Sequence, residues 1–494
     1  MIDIVLIIAS IFFWGRLAMA ALFGGRRIEF WLGVPLMFGT GCFIMTWFLF
    51  LYMLAGGALS RSLAIAACAA PAAALLALRS FGLMRKRSAG SSAGIERRGL
   101  PARFLQSLFF IFVVCLIAAV FHDSQQLPLM GDAEQIWGYK AKILYYESLY
   151  SPDFRDASQI HQHPNYPLLV PMLESYSYSL MGGVDDVRVK LLFPLFYVCL
   201  LMCIYSEARR HIGAVPAAAL AAVVATFLPL TYSRGGIGEG SASSGYADVP
   251  LTFFYTLAVI IVLRWLSGHG VTNDDDRRSK SMSLVAAGIL LAAAVFTKNE
   301  GLLIAIIVSL AAVFVVLIGR ASVRRRAFLS LLLLPVITLA LSAPWLAWRA
   351  GLPSIDENYP SLLTAERIQH GLAADAGTIL KFAVDRTTPL RLLGKAGPGD
   401  LNGWTLFWPI LAVACVLFIN RLFHKNTLFI SLLLTAHIAL YFLMLLVTPW
   451  DIETLMYFIT LRLVMHFSGV AVILLALLMG RNAASPPLHE VADR

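Results

Sequence analysis

Long apolar segments recur along almost the whole chain, and this pattern constrains the fold more than any other feature. Many of these segments have roughly the 20-residue length that crosses a bilayer as a helix. They begin near Ile2, Phe30, Leu63, Phe104, Arg188, Ala214, Val249, Leu284, Leu302, Phe328, Leu401, Leu428 and Tyr457. Only 14% of the 494 residues are charged, whereas soluble domains carry about 25%. The sequence therefore predicts an all-α polytopic membrane protein with about 13 transmembrane helices.

Basic residues indicate how these helices are oriented. They cluster on alternate connections, as expected if every cluster faces the cytoplasm. The clusters are Arg26-Arg27, residues 85–103, Arg209-Arg210, Arg277-Arg278-Lys280, Arg324-Arg325-Arg326 and residues 421–425. This orientation accounts for the net charge of +10 without nucleic-acid binding. It predicts a multi-pass protein of a bacterial inner membrane, with the N-terminus outside and residues 481–494 inside.

The polar connections divide the chain into candidate units. A segment rich in Ser, Gly and Arg separates three N-terminal helices from the others, and we interpret it as a module boundary. The predicted units are accessory transmembrane helices in 1–84, a basic cytoplasmic linker in 85–103, a main transmembrane module in 104–480 and a cytoplasmic tail in 481–494. Within the main module, the long connections 122–186 and 350–400 face outward. We expect function there, because loops held by a rigid scaffold carry binding and chemistry.

The first outward loop contains several candidate polar residues. From Ala133 onward, polar and apolar residues alternate at helical spacing with several Trp and Tyr, which predicts an interfacial helix. Asp132 and Glu134 stand at its start, where Asp132 is either a helix N-cap or a general base. The pair in His161-Gln162-His163 has no evident third ligand, so a zinc site is not favoured. The short apolar stretch 168–181 predicts a second interfacial or re-entrant helix.

Three further segments carry polar residues at predicted outer helix ends. Asp248 begins a membrane helix, where a carboxylate is costly unless it faces a polar cavity or a partner. Lys298 lies in a polar turn between two apolar runs, where the simplest interpretation is a snorkelling side chain. Arg462 and His466 are four residues apart and share one helix face. Spacing alone is equally compatible with a phosphate site and with a structural ion pair.

Taken in order, these segments resemble the GT-C membrane glycosyltransferases, which include protein O-mannosyltransferases and lipid A aminoarabinose transferases. The similar segments are Gly131-Asp132-Ala133-Glu134, His163-Pro164-Asn165-Tyr166-Pro167, Tyr246-Ala247-Asp248-Val249-Pro250, Thr297-Lys298-Asn299-Glu300-Gly301 and residues 451–462. The likeness covers residues 104–480. Asn165 stands where the family has the second proline of a pair, and residues 350–400 have no counterpart in it.

The resemblance implies an enzyme that moves a sugar from a polyprenyl-phosphate donor to a hydroxyl acceptor on the outer face. The acceptor would be a glycan, a lipid or a protein, and the displacement would be direct and inverting. Catalytic roles are implied for Asp132, as general base, and for Glu134 and Asp248, which would position the acceptor. Some relatives need a divalent metal, so these carboxylates are also candidates for binding Mg²⁺ or Mn²⁺.

The resemblance also implies binding roles for residues outside the catalytic set. Donor phosphate would be bound by Lys298, Arg462 and His466. Substrate contacts are predicted for His163, Tyr166 and Glu300. The partners expected are therefore the lipid-linked donor, its acceptor and the bilayer.

Two other functions fit a polytopic membrane chain. A transporter or lipid flippase predicts ionisable residues near the membrane centre and an inverted repeat, and no repeat is evident. An O-antigen ligase or polymerase would centre on a long late loop such as 350–400. The acidic residues gathered at outer helix ends favour the glycosyltransferase over both.

Overall fold

The computed structural model describes most of the chain and shows it to be helical. The described residues are 2–24, 26–80, 100–156, 163–231, 240–272, 277–319, 321–353, 359–388 and 403–480. Within them, extended pairing is limited to an isolated bridge between Ile28 and Thr272. Most of the predicted linker 85–103, the tail 481–494 and parts of the loop 350–400 lie outside the described residues.

The described residues form 21 α-helices of very different lengths. In chain order they are α1 Ile2–Phe23, α2 Phe30–Leu54, α3 Arg61–Ser80, α4 Leu100–Ser124, α5 Tyr139–Tyr146, α6 Leu169–Met181, α7 Phe193–Ile212, α8 Ala214–Ala225, α9 Leu228–Thr231, α10 Asp248–Leu266, α11 Arg277–Thr297, α12 Glu300–Leu317, α13 Ala321–Leu331, α14 Leu333–Arg349, α15 Tyr359–Leu362, α16 Ala365–Ala374, α17 Ala376–Thr387, α18 Phe407–Leu417, α19 Ile419–Leu422, α20 Lys425–Leu446 and α21 Ile452–Met479. Short 3₁₀ turns at Pro152–Phe154 and Arg188–Leu192 and a π-helical turn at Ala133–Gly138 complete the regular structure of the described residues.

In the described part of the chain, eleven helical segments are long and apolar enough to cross a bilayer. The predicted all-α polytopic class is therefore confirmed, but the count of about 13 crossings is not. Two of the predicted runs form helices of only 12 residues (α8) and 11 residues (α18). The run that contains α8 is interrupted near Pro229, because proline has no N–H to continue the helical ladder.

One end of the bundle gathers the basic connections. Arg209, at the end of α7, donates to the Glu29 carboxylate just before α2 at 2.5 Å. Arg264, near the end of α10, donates to the buried Glu207 at 2.7 Å. At the start of α20, Lys425 donates to the carbonyl of residue 266 at 2.7 Å. Four of the connections that the sequence predicts to be cytoplasmic, those that follow α1, α7 and α10 and the one that precedes α20, thus meet at the same end of the bundle.

The N-terminal helices pack directly against the remainder of the bundle. The Tyr176 hydroxyl of α6 donates to Ser10 of α1 at 2.8 Å. Tyr150 donates to the carbonyl of Leu54, the last residue of α2, at 2.6 Å. The division into an accessory unit (1–84) and a main module (104–480) remains a prediction.

The first outward loop forms the two short helices that its sequence predicts. The π-helical turn Ala133–Gly138 runs directly into α5, and α6 begins at Leu169. Both elements are too short to cross a bilayer. The π-helical turn begins next to the start of α10, where the Asp132 backbone N–H donates to the Tyr246 hydroxyl, at the end of the bundle opposite the basic connections.

Candidate active site

Asp248 lies at the centre of a buried charge cluster. Its side chain is fully buried at the first residue of α10. It accepts hydrogen bonds from Lys298 Nζ at 2.9 Å, from His466 Nε2 at 2.8 Å and from Arg462 Nη2 at 3.3 Å. A buried carboxylate is tolerated only when partners replace its lost hydration. Two distant segments, the turn between α11 and α12 and helix α21, therefore meet at Asp248.

Arg462 connects Asp248 to Asp132. Its Nη1 donates to Asp132 Oδ2 at 2.8 Å while Nη2 faces Asp248. The planar guanidinium presents several donors in a fixed fork, so one side chain can serve two carboxylates at once. The Asp132 side chain is 38% exposed and that of Asp248 is 0% exposed. Asp132 is therefore the carboxylate of this pair that a ligand can reach.

Lys298 and Glu300 extend the cluster along the turn between α11 and α12. Lys298 Nζ lies 3.2 Å from Glu300 Oε1 as well as 2.9 Å from Asp248. Burial would lower the pKa of Lys298, but the Asp248 and Glu300 carboxylates outweigh it and raise that pKa above its usual value. Gly301 permits this tight turn, because a Cβ there would overlap the backbone carbonyl of Ala294.

His466 is fully buried one helical turn beyond Arg462 on α21. Both of its ring nitrogens have partners: Nε2 lies 2.8 Å from Asp248 Oδ1, and Nδ1 lies 2.6 Å from the hydroxyl of Tyr441 on α20. The sequence gives no local sign of Tyr441, because an isolated tyrosine inside an apolar run is usual for a membrane helix. Only the packing of α20 on α21 brings it to the cluster.

His163 and Tyr166 lie against α5 and the π-helical turn that precedes it. The residues they contact there, Trp137 and Lys140, lie one to two helical turns after Asp132. Lys140 Nζ donates to the backbone carbonyl of His163 at 2.5 Å and to that of Tyr166 at 3.3 Å. The Tyr166 ring packs against the His163 ring with centroids 4.5 Å apart and against the Trp137 ring at 5.7 Å. Burial, together with the Arg349 charge, holds the pKa of Lys140 well below its usual range. Lys140 therefore holds the backbone of residues 163–166 against α5.

Glu134 is exposed in the π-helical turn that follows Asp132. The described residues contain no group of three or more His, Cys, Asp or Glu side chains arranged to hold a metal ion. In this arrangement Asp132 and Asp248 are already neutralised by Arg462 and Lys298. These carboxylates therefore do not fit a divalent-metal site as they stand, and metal dependence remains a prediction.

Two residues that line the cluster were not among the sequence candidates. The Tyr246 hydroxyl accepts from the backbone N–H of Asp132 at 3.1 Å, and its ring lies 4.9 Å from the Arg462 guanidinium. Gly240 has φ +92°, and a Cβ there would lie 3.2 Å from side-chain carbons of Arg462 and Asp248. The glycines of 235–240 only superficially resemble a nucleotide-binding loop; the last of them instead leaves room for the charge cluster.

Comparison with known proteins supports one class. Residues 165–347 match the family described as dolichyl-phosphate-mannose-protein mannosyltransferase. No curated protein matches the chain. The matched segment contains Asp248, Lys298 and Glu300. The match confirms the predicted resemblance to the GT-C superfamily, and the class it supports is a polytopic membrane glycosyltransferase.

Two solved structures are similar to this chain. The crystal structure of ArnT from Cupriavidus metallidurans bound to undecaprenyl phosphate has a TM-score of 0.45 and 16% identity, over 74% of this chain and 60% of that one. The oligosaccharyltransferase of Archaeoglobus fulgidus, in complex with Zn and sulfate, has a TM-score of 0.45 and 14% identity, over 76% of this chain and 48% of that one. The chain thus spans about half to three fifths of the length of these solved structures.

Proposed function

We propose that this protein transfers a sugar from a polyprenyl-phosphate donor to a hydroxyl acceptor at the outer face of a bacterial inner membrane. The observation that carries the proposal is the shared contact of Arg462 with Asp132 and Asp248. This contact places Asp132, a carboxylate that a ligand can reach, next to the Arg462 guanidinium, whose position Asp248 fixes. The family match favours this function over the transporter and polymerase alternatives.

Asp132 is the general base in this proposal. Transfer to a hydroxyl acceptor needs a group that takes the hydroxyl proton, and a carboxylate within hydrogen-bond distance can do so. Asp132 is partly exposed, whereas Asp248 is enclosed by Lys298, Arg462 and His466. Asp248 therefore acts by holding the cations in place, and Asp132 receives the proton.

Lys298 and Arg462 stabilise the phosphate leaving group in this proposal. As the bond between the sugar carbon and the phosphate oxygen breaks, negative charge develops on the carrier phosphate, and fixed cations lower the barrier to that step. The guanidinium of Arg462 suits a phosphate because it offers parallel N–H donors. Glu300, paired with Lys298 at 3.2 Å, limits where the ammonium group can move.

Donor binding and base activation are coupled through Arg462. In the present arrangement its Nη1 is occupied by Asp132. An arriving phosphate competes for the same donors, and Asp132 is the partner it can displace, because the Asp132 side chain is the exposed one. The displaced Asp132 is then free to accept the acceptor proton. In this order Asp132 stays paired with Arg462, and so does not act as a base, until the donor is bound.

An apolar groove beside the cluster supports a donor that carries a lipid chain. The groove has a volume of about 310 Å³ and lies between α12 and α20. It is lined by Leu303, Ile306, Ile307, Ala436, Ala439, Leu440 and Leu443. It begins one turn along α12 from Glu300, and its Leu440 precedes Tyr441 of the cluster. A phosphate at Lys298 would thus place the attached prenyl chain at the head of this groove.

The position of the cluster supports an outward-facing site. Asp248 and Glu300 begin α10 and α12, and Thr297 ends α11. The basic connections lie at the other ends of these helices, and basic connections face the cytoplasm in bacterial inner membranes. The site would then open toward the periplasm.

The test of the proposal is release of the lipid carrier. Purified protein is incubated with polyprenyl-phosphate sugars and envelope extract from the source cells, and free polyprenyl phosphate is measured by mass spectrometry. Because the carrier is released whichever sugar moves, the assay works before the sugar and the acceptor are identified. Asp132→Asn and Asp248→Asn should each lower release at least about 100-fold. Normal release by both folded variants would overturn the proposal.

The matched control is Glu453→Gln. Glu453 is exposed in the first turn of α21, the same helix that carries Arg462. The substitution removes one carboxylate charge at this end of the bundle without touching the cluster. Its release rate should stay within about twofold of the native rate, as is usual for exposed sites.

A further inference from the structure

A buried chain of hydrogen bonds leads from the charge cluster to a tyrosine that no motif includes. We infer that Tyr441 and His466 are positioning residues that hold the Asp248 carboxylate in the orientation needed by Lys298 and Arg462. This inference rests on the proposed function. It gives His466 a role different from the phosphate contact that the sequence predicts for it.

The geometry leaves His466 no free ring nitrogen. Nε2 lies 2.8 Å from Asp248 Oδ1, and Nδ1 lies 2.6 Å from the Tyr441 hydroxyl. His466 is 0% exposed and Tyr441 is 8% exposed. A phosphate could reach the ring only after one of these hydrogen bonds broke. The ring therefore acts through Asp248 instead of touching the substrate.

Complete burial favours a neutral His466 in a cluster that also contains the Asp132 and Glu300 carboxylates. Lys298 and Arg462 already bring two positive charges to this carboxylate. A third buried cation beside them would be repelled and would lose its hydration. In the neutral ring one nitrogen donates and the other accepts. Nε2–H then donates a hydrogen bond to Asp248, and Nδ1 accepts a hydrogen bond from the Tyr441 hydroxyl.

Asp248 fixes the tautomer of His466, and Tyr441 fixes the orientation of the ring. An ionised carboxylate only accepts hydrogen bonds, so Nε2 carries the proton and Nδ1 is left as an acceptor. Without the Tyr441 hydroxyl, the buried Nδ1 would lose its donor, and the ring could tilt away from the orientation in which Nε2–H meets Asp248. The Asp248 carboxylate would then be held less firmly, and its contacts with Lys298 and Arg462 would change. Turnover should suffer more than binding of the carrier phosphate, because the two cations themselves remain.

The first experiment compares two tyrosine substitutions in the full-length protein. Tyr441→Phe should lower carrier release about 10- to 100-fold, the effect of losing a hydrogen bond in a charged network. Its affinity for undecaprenyl phosphate, used as a probe without sugar, should change less than about threefold. Tyr255→Phe is the matched control, because the buried Tyr255 hydroxyl of α10 has no hydrogen-bond partner among the described residues. It should leave release and binding within about twofold of native.

The second experiment replaces His466 in two ways. His466→Gln keeps an uncharged side chain that donates from its amide nitrogen and accepts at its carbonyl oxygen. It should retain release within about threefold to tenfold of native. His466→Lys carries a charge and accepts no hydrogen bond, so it should lose about 100-fold or more.

The outcomes separate this inference from the proposed function. If Tyr441→Phe behaves like Tyr255→Phe, or if His466→Lys outperforms His466→Gln, the positioning role is overturned; the second result would restore His466 as a cationic phosphate ligand. In either case Asp248→Asn remains inactive if the proposed function is right. Full release by both Asp132→Asn and Asp248→Asn would instead overturn the proposed function itself.

Discussion

Asp132 and Arg462 are 330 positions apart in the sequence, yet Arg462 Nη1 donates to Asp132 Oδ2 at 2.8 Å. The same guanidinium also contacts Asp248, which lies at the start of another helix. One cation thus joins the carboxylate that a ligand can reach to the carboxylate that is enclosed. In the proposed function, this shared partner is what links arrival of a phosphate to release of the base.

The first prediction concerns competition for Arg462. Because Asp132 and the carrier phosphate compete for Nη1, Asp132→Asn should bind undecaprenyl phosphate about two- to fivefold more tightly. This range corresponds to loss of a partly exposed ion pair. The same variant should lose carrier release. Titration of the purified protein followed by native mass spectrometry measures the affinity.

Glu453→Gln serves as the charge-matched control for this affinity. It removes a carboxylate at the start of α21 that does not pair with Arg462. If both substitutions tighten binding equally, the effect is general electrostatics and not competition. Weaker binding by Asp132→Asn would contradict the partner exchange outright.

The second prediction tests the groove between α12 and α20. Ala439 lines this groove, and a tryptophan there would fill it. Ala439→Trp should weaken binding of undecaprenyl phosphate about tenfold, the loss expected when two or so methylene groups are no longer buried. Binding of isopentenyl phosphate, which has a single isoprene unit, should not change.

A tryptophan on another lipid-facing surface is the control. Val416 on α18 is 72% exposed and lies outside the groove. Val416→Trp should bind both phosphates as the native protein does. Equal weakening by the two tryptophans, or an equal loss for the short and long chains, would rule out the groove as the prenyl site.

The third prediction concerns Gly240. Its φ of +92° is a conformation that side chains with a Cβ rarely adopt, and an added Cβ would press on Arg462 and Asp248. Gly240→Ala should cost about 1–3 kcal/mol of strain and lower carrier release about tenfold or more. Gly183→Ala is the control, because a Cβ there meets no atom within 4 Å. If Gly240→Ala released the carrier at the native rate, displacement of Arg462 and Asp248 would not affect turnover, and the prediction would be wrong.

The fourth prediction concerns Glu174, a buried carboxyl group on α6 outside the charge cluster. It is 1% exposed, and neither of its carboxylate oxygens has a hydrogen-bond partner among the described residues. Burial raises the pKa of Glu174 well above its usual range, and the nearby Asp186 carboxylate raises it further. The folded protein therefore holds a proton that the unfolded chain releases above about pH 4.3.

Stability should consequently fall as the pH rises above that unfolded-state value, since the folded state then binds more protons than the unfolded state. Glu174→Gln removes this dependence. Its apparent melting temperature in detergent, at one scan rate, should exceed the native value at pH 7.5 and match it at pH 4. Glu453→Gln, at an exposed site, should follow the native protein at both. An equal difference at the two pH values would show that ionisation of Glu174 is not the cause.

Local sequence located the helix ends that carry several residues of the candidate site. The start of α10 at Asp248 and the turn at Lys298 and Glu300 can be located from hydropathy, because a polar residue between two long apolar runs must lie at a helix end. Arg462 and His466 share a helix face by their spacing alone. These local patterns do not determine which partner each of these residues contacts.

The sequence by itself determined the all-α membrane class, the alternation of basic connections along the chain and the ends of most spanning helices. These properties depend on contiguous composition, since each segment exchanges water for lipid largely independently of the others. Only the tertiary structure decided that α8 and α18 are short, that Arg462 bridges Asp132 and Asp248, and that Tyr441 reaches His466. The physical reason is that lipid is as apolar as the helix surfaces, so helix pairing follows close packing and buried polar contacts instead of hydropathy.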